Sequence, residues 1–551
     1  MGFSRREILK GMGAAGLTPL LLNTGCGSSD SGSTPLPELP EYSWEGEPGP
    51  QTIFQHGVAS GDPLPEAVII WTRVALDQEA QPAAAELKQS SSQDPMEVWW
   101  EVALDEAFEM RVAQGTVTAQ AESDYTIKVD VTELVWGRNY YYRFFNQGRQ
   151  SPVGRTRLAP TSGEPTEQLR FGVCSCANYG FGYFHSFRHM ASREDLDAVL
   201  HLGDYFYEYG NGRYPREEEQ LRLLEPPNET VTLSDYRTRL GLYRTDPDLQ
   251  ECHRQHPFIV VWDDHETANN SWMGGAENHD PETEGPWEDR VAAARQAFFE
   301  WIPIRENEGR QLYRALKYGD LADVIMLDTR IEGREQQASG SLIAPDDPNA
   351  PENIISETQE AWLVEQLSSS TATWKILGNQ VVMSLWNFEG AYANTDQWNG
   401  YPVGRTRLLE RLRDNGLSNV VVVTGDVHTS WAMDVTVGDG SYDAETGTGA
   451  VAVEFVAPGV TSPGELPPSL IEGFIRSSPH IYFANVTDRG YLVLDVRPEK
   501  VQSDWYYIEG LEEEQRAEIP GPNWAVLDGT AHVIEMDGPE NPPLDPPPLA
   551  S

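Results

Sequence analysis

The sequence predicts a layered α/β domain built around a largely buried sheet. Apolar runs that predict strands alternate with amphipathic stretches such as Arg290–Phe299 and Glu357–Leu367. The predicted strands are Leu169–Cys176, Ala198–Leu202, Phe258–Trp262, Ala322–Leu327, Lys375–Met383, Val420–Thr424 and Val451–Val456. Alternation of this kind is typical of sheets whose faces are covered by helices. A run as continuous as Val420–Thr424 is typical of a strand that is buried on both faces.

Residues 1–26 resemble an export signal. Arg5 and Arg6 form a twin-arginine pair, and the apolar stretch Gly11–Leu22 is too short to span a bilayer. A buried N-terminal helix is the alternative. Because Leu22–Cys26 resembles a lipoprotein box, two outcomes stay open: a lipid anchor on Cys26, or cleavage nearby and release. We therefore expect export by the twin-arginine route to the periplasm, the cell surface or the medium.

The rest of the chain divides into four segments. Residues 27–51 are rich in Ser, Gly, Pro and Glu and predict a flexible linker. Residues 52–158 predict a small fibronectin- or Ig-like β-sandwich. Its strands are Val68–Val74, Met96–Val102, Asp124–Val131 and Asn139–Phe144. Residues 166–507 form the α/β domain, and residues 508–551 form an acidic, Pro-rich extension, of which 541–551 are expected to be disordered.

The net charge of the chain limits the classes of partner that it can bind through electrostatic attraction. The chain has 551 residues, with 40 Lys and Arg against 86 Asp and Glu, so its net charge is −46. Such a surface repels nucleic acids and anionic membranes, which we exclude as electrostatic partners. An anionic substrate would therefore need cations held locally in the site. The 4 Cys residues are too few for a disulfide scaffold.

Several of the predicted strands end in side chains that can bind metals. Gly425 follows Val420–Thr424, and Asp426 and His428 come next, at a spacing that in an extended turn directs both side chains the same way. Donors near the other strand ends are Cys176, Asp204, Tyr207, Asp263 and Asp264. Taken singly, such residues are typical of buried cysteines, core tyrosines and solvated helix starts. Converging carboxylates repel one another unless a cation neutralises them, so their shared position predicts a multinuclear metal centre.

These motifs resemble those of known phosphatases. Gly203-Asp204-x-x-Tyr207, Asp264-His265-Glu266 and Gly425-Asp426-x-His428 resemble the metallophosphoesterase signatures of purple acid phosphatases. A closer resemblance, to the PhoD-type alkaline phosphatase/phosphodiesterase family, covers residues 52 to 507. It rests on Ser175-Cys176, His201–Gly210, Trp262–Asn270, Leu327–Arg330 and Gly425–Trp431. The resemblance implies a metallophosphoesterase-type sheet domain that follows the N-terminal sandwich.

The resemblance also implies a set of metal ligands. Cys176, Asp204 and Tyr207 would hold Fe³⁺. Asp204, Asp264, Asp426 and His428 would serve Ca²⁺, and the choice between Asp263 and Asp264 stays open. The residue chemistry agrees, because thiolate and phenolate stabilise a transition metal, whereas clustered carboxylates suit a hard cation.

The resulting hypothesis is an exported, metal-dependent hydrolase of small-molecule phosphate esters. It would be an alkaline phosphatase/phosphodiesterase that scavenges phosphate as a monomer and uses a metal-activated hydroxide. His265 would protonate the leaving group or bind phosphate, Arg330 would orient phosphate or form a structural ion pair, and Asn270 would contact the substrate. One alternative is a phospholipase- or nucleotidase-like relative. The other is a non-catalytic calcium-binding surface lipoprotein, against which the Cys176/Tyr207 pair argues.

Overall fold

The computed structural model describes residues 39–75, 95–388, 390–438, 440–464, 473, 475 and 477–551. The predicted export signal, with Cys26, and residues 27–38 of the predicted linker lie outside the described residues. Among the helices that are described, none is both long enough and apolar enough to cross a membrane.

Strands predominate over helices in the described part of the chain. The strands are β1 (Val58–Gly61), β2 (Val68–Arg73), β3 (Met96–Ala103), β4 (Arg111–Ala119), β5 (Thr126–Val131), β6 (Asn139–Asn146), β7 (Arg149–Gln150), β8 (Gly154–Arg157), β9 (Leu169–Cys174), β10 (Ala198–His201), β11 (Pro257–Val260), β12 (Arg314–Tyr318), β13 (Ala322–Met326), β14 (Leu342–Ile343), β15 (Trp374–Asn379), β16 (Asn387–Phe388), β17 (Ala391–Ala393), β18 (Val420–Thr424), β19 (Ser430–Thr436), β20 (Ala450–Val456), β21 (Ile481–Asn485), β22 (Gly490–Arg497), β23 (Lys500–Ile508), β24 (Glu518–Leu527) and β25 (Val533–Met536). The α-helices are α1 (His185–Ala191), α2 (Leu233–Tyr243), α3 (Pro247–Gln255), α4 (Pro281–Glu284), α5 (Trp287–Trp301), α6 (Glu357–Ser369) and α7 (Pro402–Asp414).

Two large mixed sheets form the body of the protein, which confirms the predicted α/β class. The first has ten strands in the order β25-β24-β23-β22-β9-β10-β11-β1-β2-β5, and the second has seven in the order β12-β13-β15-β18-β20-β19-β21. Strands β9, β10, β11 and β1 are parallel, as are β13, β15, β18 and β20. Each sheet therefore has a parallel centre with antiparallel strands toward its edges.

The two sheets pack face to face, and helices cover their outer faces. Phe171 and Leu200 of the first sheet share an apolar cluster with Val423 and Phe455 of the second. Helices α1, α2, α3 and α5 pack on the other face of the first sheet, and α6 and α7 pack on the other face of the second. Because both faces of each central strand are covered, strands such as β18 are apolar throughout, as their sequence predicts.

The ends of the described chain extend the first sheet in a way that the sequence does not predict. Strands β1, β2 and β5 join the sheet of the α/β domain, while β3, β4, β6, β7 and β8 form a separate five-stranded sheet packed against them. At the other edge, β24 and β25 add two strands from the extension. The prediction of disorder for 541–551 is wrong, because Ala550 is buried and Arg254 donates to the carbonyls of Ala550 and Ser551.

This packing determines where the functional side chains lie. In each sheet the parallel strands run in one direction, so their carboxyl ends meet at one edge, where ligand sites of α/β folds are found. Loops after β9, β10 and β11 of the first sheet lie beside loops after β13, β18 and β20 of the second. Backbone hydrogen bonds join loops of the two sheets, for example from Val460 N, after β20, to the Ser175 carbonyl, after β9, at 3.0 Å.

Candidate metal centre

Four predicted metal ligands occupy unusual backbone conformations. Their φ values, each shortly after a strand end, are 60° at Cys176, 52° at Asp204, 65° at Asp426 and 54° at His428. A residue other than glycine in the left-handed region costs on the order of 1–3 kcal/mol and persists only where its surroundings require it. The strain turns each side chain out of the strand direction and toward the loops of the neighbouring strands.

Two glycines allow these loops to approach closely. A Cβ added to Gly203, which has φ of 108°, would lie 2.4 Å from Cβ of Asp263. One added to Gly425 would lie 2.5 Å from Oγ of Ser175. Since real Cβ atoms do not make contacts this short, only glycine at these positions allows the loops after β10 and β18 to lie so near the loops after β11 and β9.

The donor atoms form three overlapping groups. Cys176, Asp204 and His428 make one group, Asp204, Asp264 and His265 a second, and Asp263, Asp264 and Asp426 a third. Within each group the donor atoms lie within 4.8 Å of one another. Asp204 joins the first two groups and Asp264 joins the last two, so the donors form one continuous cluster.

Tyr207 and His428 lie together on the cysteine side of this cluster. The Tyr207 hydroxyl is 2.9 Å from Oδ2 of Asp204 and 3.1 Å from Nε2 of His428, and Ser462 Oγ lies 2.6 Å from it. Nδ1 of His428 is 2.6 Å from the Pro463 carbonyl, which can only accept, so Nδ1 carries the hydrogen and Nε2 presents its lone pair. His428 thus has the tautomer that a metal ligand needs.

The position of His428 differs from the expectation. The sequence spacing predicts that His428 and Asp426 point the same way in an extended turn, and the family resemblance implies that both serve Ca²⁺. Their φ values of 54° and 65° are not those of an extended turn, and the structure groups His428 with Cys176 and Asp204 instead.

Buried carboxylate oxygens that accept no hydrogen bond show that the donors fit cations. Oδ1 of Asp204, Oδ2 of Asp263 and Oδ1 of Asp264 are buried and have no hydrogen bond. Burial raises the pKa of Asp204 and of Asp263 well above the ordinary value. Burial and the nearby Asp204 also raise the pKa of Cys176. Without a cation this cluster favours protons, so the residues fit metal ions well.

Arg330 supplies the protein's own positive charge to this cluster. Its buried guanidinium contacts Asp263 through Nε, lies 2.8 Å from Asp396 and 2.7 Å from Asp426, and is 3.5 Å from Asp264. Ion pairing, one of the two predicted roles of Arg330, is therefore present. The pKa of Asp264 reflects the nearby positive charge. Burial acts to raise this pKa, but Arg330 and His265 outweigh burial and lower it below the ordinary value.

A cavity of about 390 Å³ opens over the cluster. Carboxylates of five residues line it, and Tyr209, Tyr214 and Trp386 contribute aromatic surface. Among the described residues, no Lys or Arg lines this cavity. Asn270 lines it too, but its amide donates to Glu277 at 2.6 Å and its backbone N donates to Asp264.

Comparison with protein families decides what the chain is. Residues 171–505 match the family described as PhoD-like phosphatase, and residues 42–160 match its N-terminal domain. The chain belongs to the PhoD-like phosphatase family. It is 36% identical over 523 residues to alkaline phosphatase D of Bacillus subtilis (strain 168), covering 91% of this chain and 84% of that protein.

Solved structures agree with this membership. A structure described as that of PhoD superposes with a TM-score of 0.80 at 33% identity and covers 91% of this chain and 94% of its own. A purple acid phosphatase from yellow lupin (Lupinus luteus) seeds superposes with a TM-score of 0.53 at 14% identity, covering 86% and 73%. The second likeness concerns the fold alone.

In this PhoD-like phosphatase the predicted donors come together, but sequence reasoning missed several of their neighbours. Asp396, Gln397 and Ser462 contact Arg330, Asp426 and Tyr207, respectively. They lie on loops rather than directly after an apolar strand, so the pattern that identified the ligands could not find them. Sequence reasoning also missed Glu208. Its sequence offers only a weak indication of function, namely an acidic residue inside a run of aromatic residues.

Calcium affinity of the metal-free PhoD-like phosphatase is expected to fall as pH drops below about 6. Burial raises the pKa of Asp426 to about 6. A cation must displace that proton, so the apparent affinity should fall about tenfold per pH unit below this value. Titration of chelator-treated protein with Ca²⁺ at several pH values measures the slope. Asp426→Asn should reduce it but not abolish it, because the pKa values of Asp204 and Asp263 are raised as well. An affinity that is constant between pH 5 and 7 would contradict the expectation.

Proposed function

We propose that this PhoD-like phosphatase is an exported, metal-dependent hydrolase that acts on phosphodiesters as well as on monoesters. The observation that carries the proposal is an acidic cavity, without Lys or Arg among its described lining residues, above a cluster of buried anionic donors. Phosphate esters are anions, so such a site can bind them only through cations that the cluster holds.

We propose that Fe³⁺ is held by Cys176, Asp204 and Tyr207 together with His428. Ca²⁺ would be held by carboxylates, and its proposed ligands are Asp204, Asp263, Asp264 and Asp426. Sulfur, phenol and imidazole donors suit a transition metal, and oxygen donors suit a hard cation. When bound, these cations supply Lewis-acid activation of water and neutralise the phosphoryl oxygens.

The chain's own groups would bind and orient the ester. His265 lines the cavity next to the donor cluster, where it can donate a hydrogen to an ester oxygen. The side-chain amide of Asn270 donates to Glu277. It can bind phosphate only by exchanging Glu277 for a phosphate oxygen. Arg330 acts through the carboxylates it binds, because it does not line the cavity.

Diesters are expected to be the better substrates. A monoester is largely a dianion and a diester a monoanion, and an acidic cavity disfavours the additional charge by at least about 1 kcal/mol. We expect kcat/KM for methyl 4-nitrophenyl phosphate to exceed that for 4-nitrophenyl phosphate by about fivefold or more. The two esters share one leaving group, so a difference in leaving-group acidity does not contribute to the ratio.

A preference for the monoester would contradict the expected effect of charge. Absence of diester hydrolysis, or hydrolysis that survives removal of the metals, would contradict the proposed function. A phospholipid and a nucleotide should be assayed beside the two esters. The aromatic surface of Tyr209, Tyr214 and Trp386 would favour an apolar or planar substituent, and a strong preference for either compound would support the phospholipase- or nucleotidase-like alternative.

We also propose export by the twin-arginine route, on the strength of Arg5 and Arg6, with attachment to a membrane only through a lipid on Cys26. The protein would act as a monomer. The N-terminal sheets would form a fibronectin- or Ig-like sandwich, a proposal supported by the apolar cluster that Val68, Val98 and Tyr142 share.

A further inference from the structure

Glu208 is a buried acidic residue that follows Tyr207 directly and forms no ion pair with Arg or Lys among the described residues. Its Oε2 lies 2.7 Å from Nδ1 of His265. Its other oxygen accepts from the backbone N of Asn269 at 2.7 Å and from the amide of Asn278 at 3.0 Å. Both oxygens are thus held, which fixes the carboxylate behind the imidazole of His265.

The same contacts fix the imidazole. A carboxylate only accepts, so Nδ1 of His265 carries a hydrogen that it donates to Glu208. The ring lies 4.2 Å from the ring of Tyr207 and stacks on that of Tyr214 at 6.2 Å, with 13° between the planes. Rotation of the imidazole would break these contacts.

Nε2 of His265 then faces the cavity. It has no hydrogen bond to a described residue, whereas His265 lines the cavity above the donor cluster. A ring nitrogen of His265 also lies within 4.8 Å of carboxylate oxygens of Asp204 and Asp264. An ester bound over the cluster would therefore have one of its oxygens within reach of Nε2.

We propose that Glu208 is a positioning residue that directs Nε2–H of His265 at the leaving-group oxygen. The inference rests on the proposed function. As the bond between phosphorus and that oxygen breaks, its electron pair stays on oxygen, which takes the proton from Nε2. The water that attacks phosphorus releases a proton, and that proton restores the donor. Without Glu208 the imidazole keeps its place in the chain but loses its orientation.

Leaving-group dependence separates this role from a structural one. Protonation matters little when the leaving group is 4-nitrophenol and much when it is phenol, a weaker acid. We expect Glu208→Gln to lower kcat/KM by less than about 5-fold for methyl 4-nitrophenyl phosphate, but by about 100-fold for methyl phenyl phosphate. Glu208→Asp, which keeps the charge but reaches less far, should give an intermediate ratio.

Glu229→Gln is the matched control. Glu229 accepts from the same Asn278 and binds Arg290 at 2.8 Å, but it does not contact His265. A general loss of packing in this region would lower both rates by the same factor, and that is what we expect for the control. Thermal unfolding of all variants shows that each is folded.

His265→Ala should show the same dependence on the leaving group as Glu208→Gln. The double variant should be no less active than His265→Ala alone, because Glu208 acts through His265. The inference is overturned if Glu208→Gln slows both esters equally, or if the double variant loses further activity. It is also overturned if Glu208→Gln loses bound metal, which would make His265 a metal ligand. Wild type that hydrolyses neither ester would refute the proposed function as well, so the two failures are distinguishable.

Discussion

Replacing Asp204 with Asn is expected to lower phosphate-ester hydrolysis by about 1000-fold or more and to reduce bound metal. Asp204 belongs to two of the three donor groups, and its Oδ1 is buried without a partner. An amide keeps the shape of the side chain but removes the charge that two cations would share. No other described residue offers a donor to both of these groups.

Metal analysis by mass spectrometry and a diester assay on the same preparation measure the two effects. The visible absorption expected of a phenolate bound to Fe³⁺ should weaken in parallel. Asp434→Asn is a suitable control, because Asp434 is equally buried but bonds Tyr442 and His532 and does not line the cavity. If Asp204→Asn kept both its metal and its activity, the metal-dependent mechanism would fail.

Arg330→Met is expected to give the largest loss of stability, about 3–5 kcal/mol in the metal-free protein. Arg330 is fully buried, and four carboxylates face its guanidinium. Methionine fills part of the same volume without charge, so these carboxylates would repel one another with no compensation. Added Ca²⁺ should recover much of the loss, because a bound cation supplies the missing charge.

Urea unfolding with chelator and with Ca²⁺ measures both parts of this expectation. The control is Arg334→Met, since Arg334 is also buried but pairs with Asp396 alone. An equal shift in the two variants would show that charge balance at the donor cluster is not what Arg330 provides. A large change in KM without a change in stability would instead favour the phosphate-orienting role.

The sequence predicts the centre of each sheet well, because strands covered on both faces must be apolar throughout. Strand β18 begins and ends at the predicted residues, Val420 and Thr424. The donors after these strands could be predicted for the same reason, since their positions follow from strand direction alone. A local sequence pattern is sufficient to predict a strand where burial on both faces requires apolar residues.

Long-range pairing and loop conformation could not be predicted in this way. Nothing in the sequence of β2 indicates that its sheet continues into the sheet of the α/β domain. The left-handed conformation of His428, which separates it from Asp426, depends on contacts such as that of Nδ1 with the Pro463 carbonyl. Asp396 is brought to Arg330 by a loop whose sequence carries no periodic signal.

The position of β22 bears on how the chain acquires its structure during synthesis. Val173 of β9, the strand that leads to Cys176, pairs with Leu200 on one side and with Leu492 of β22 on the other. Arg170 and Asp495, which join the same two strands through an ion pair, are 325 positions apart. The ribosome must therefore synthesise all of the intervening residues before β9 gains its second neighbour, so this pairing forms long after β9 itself has been translated.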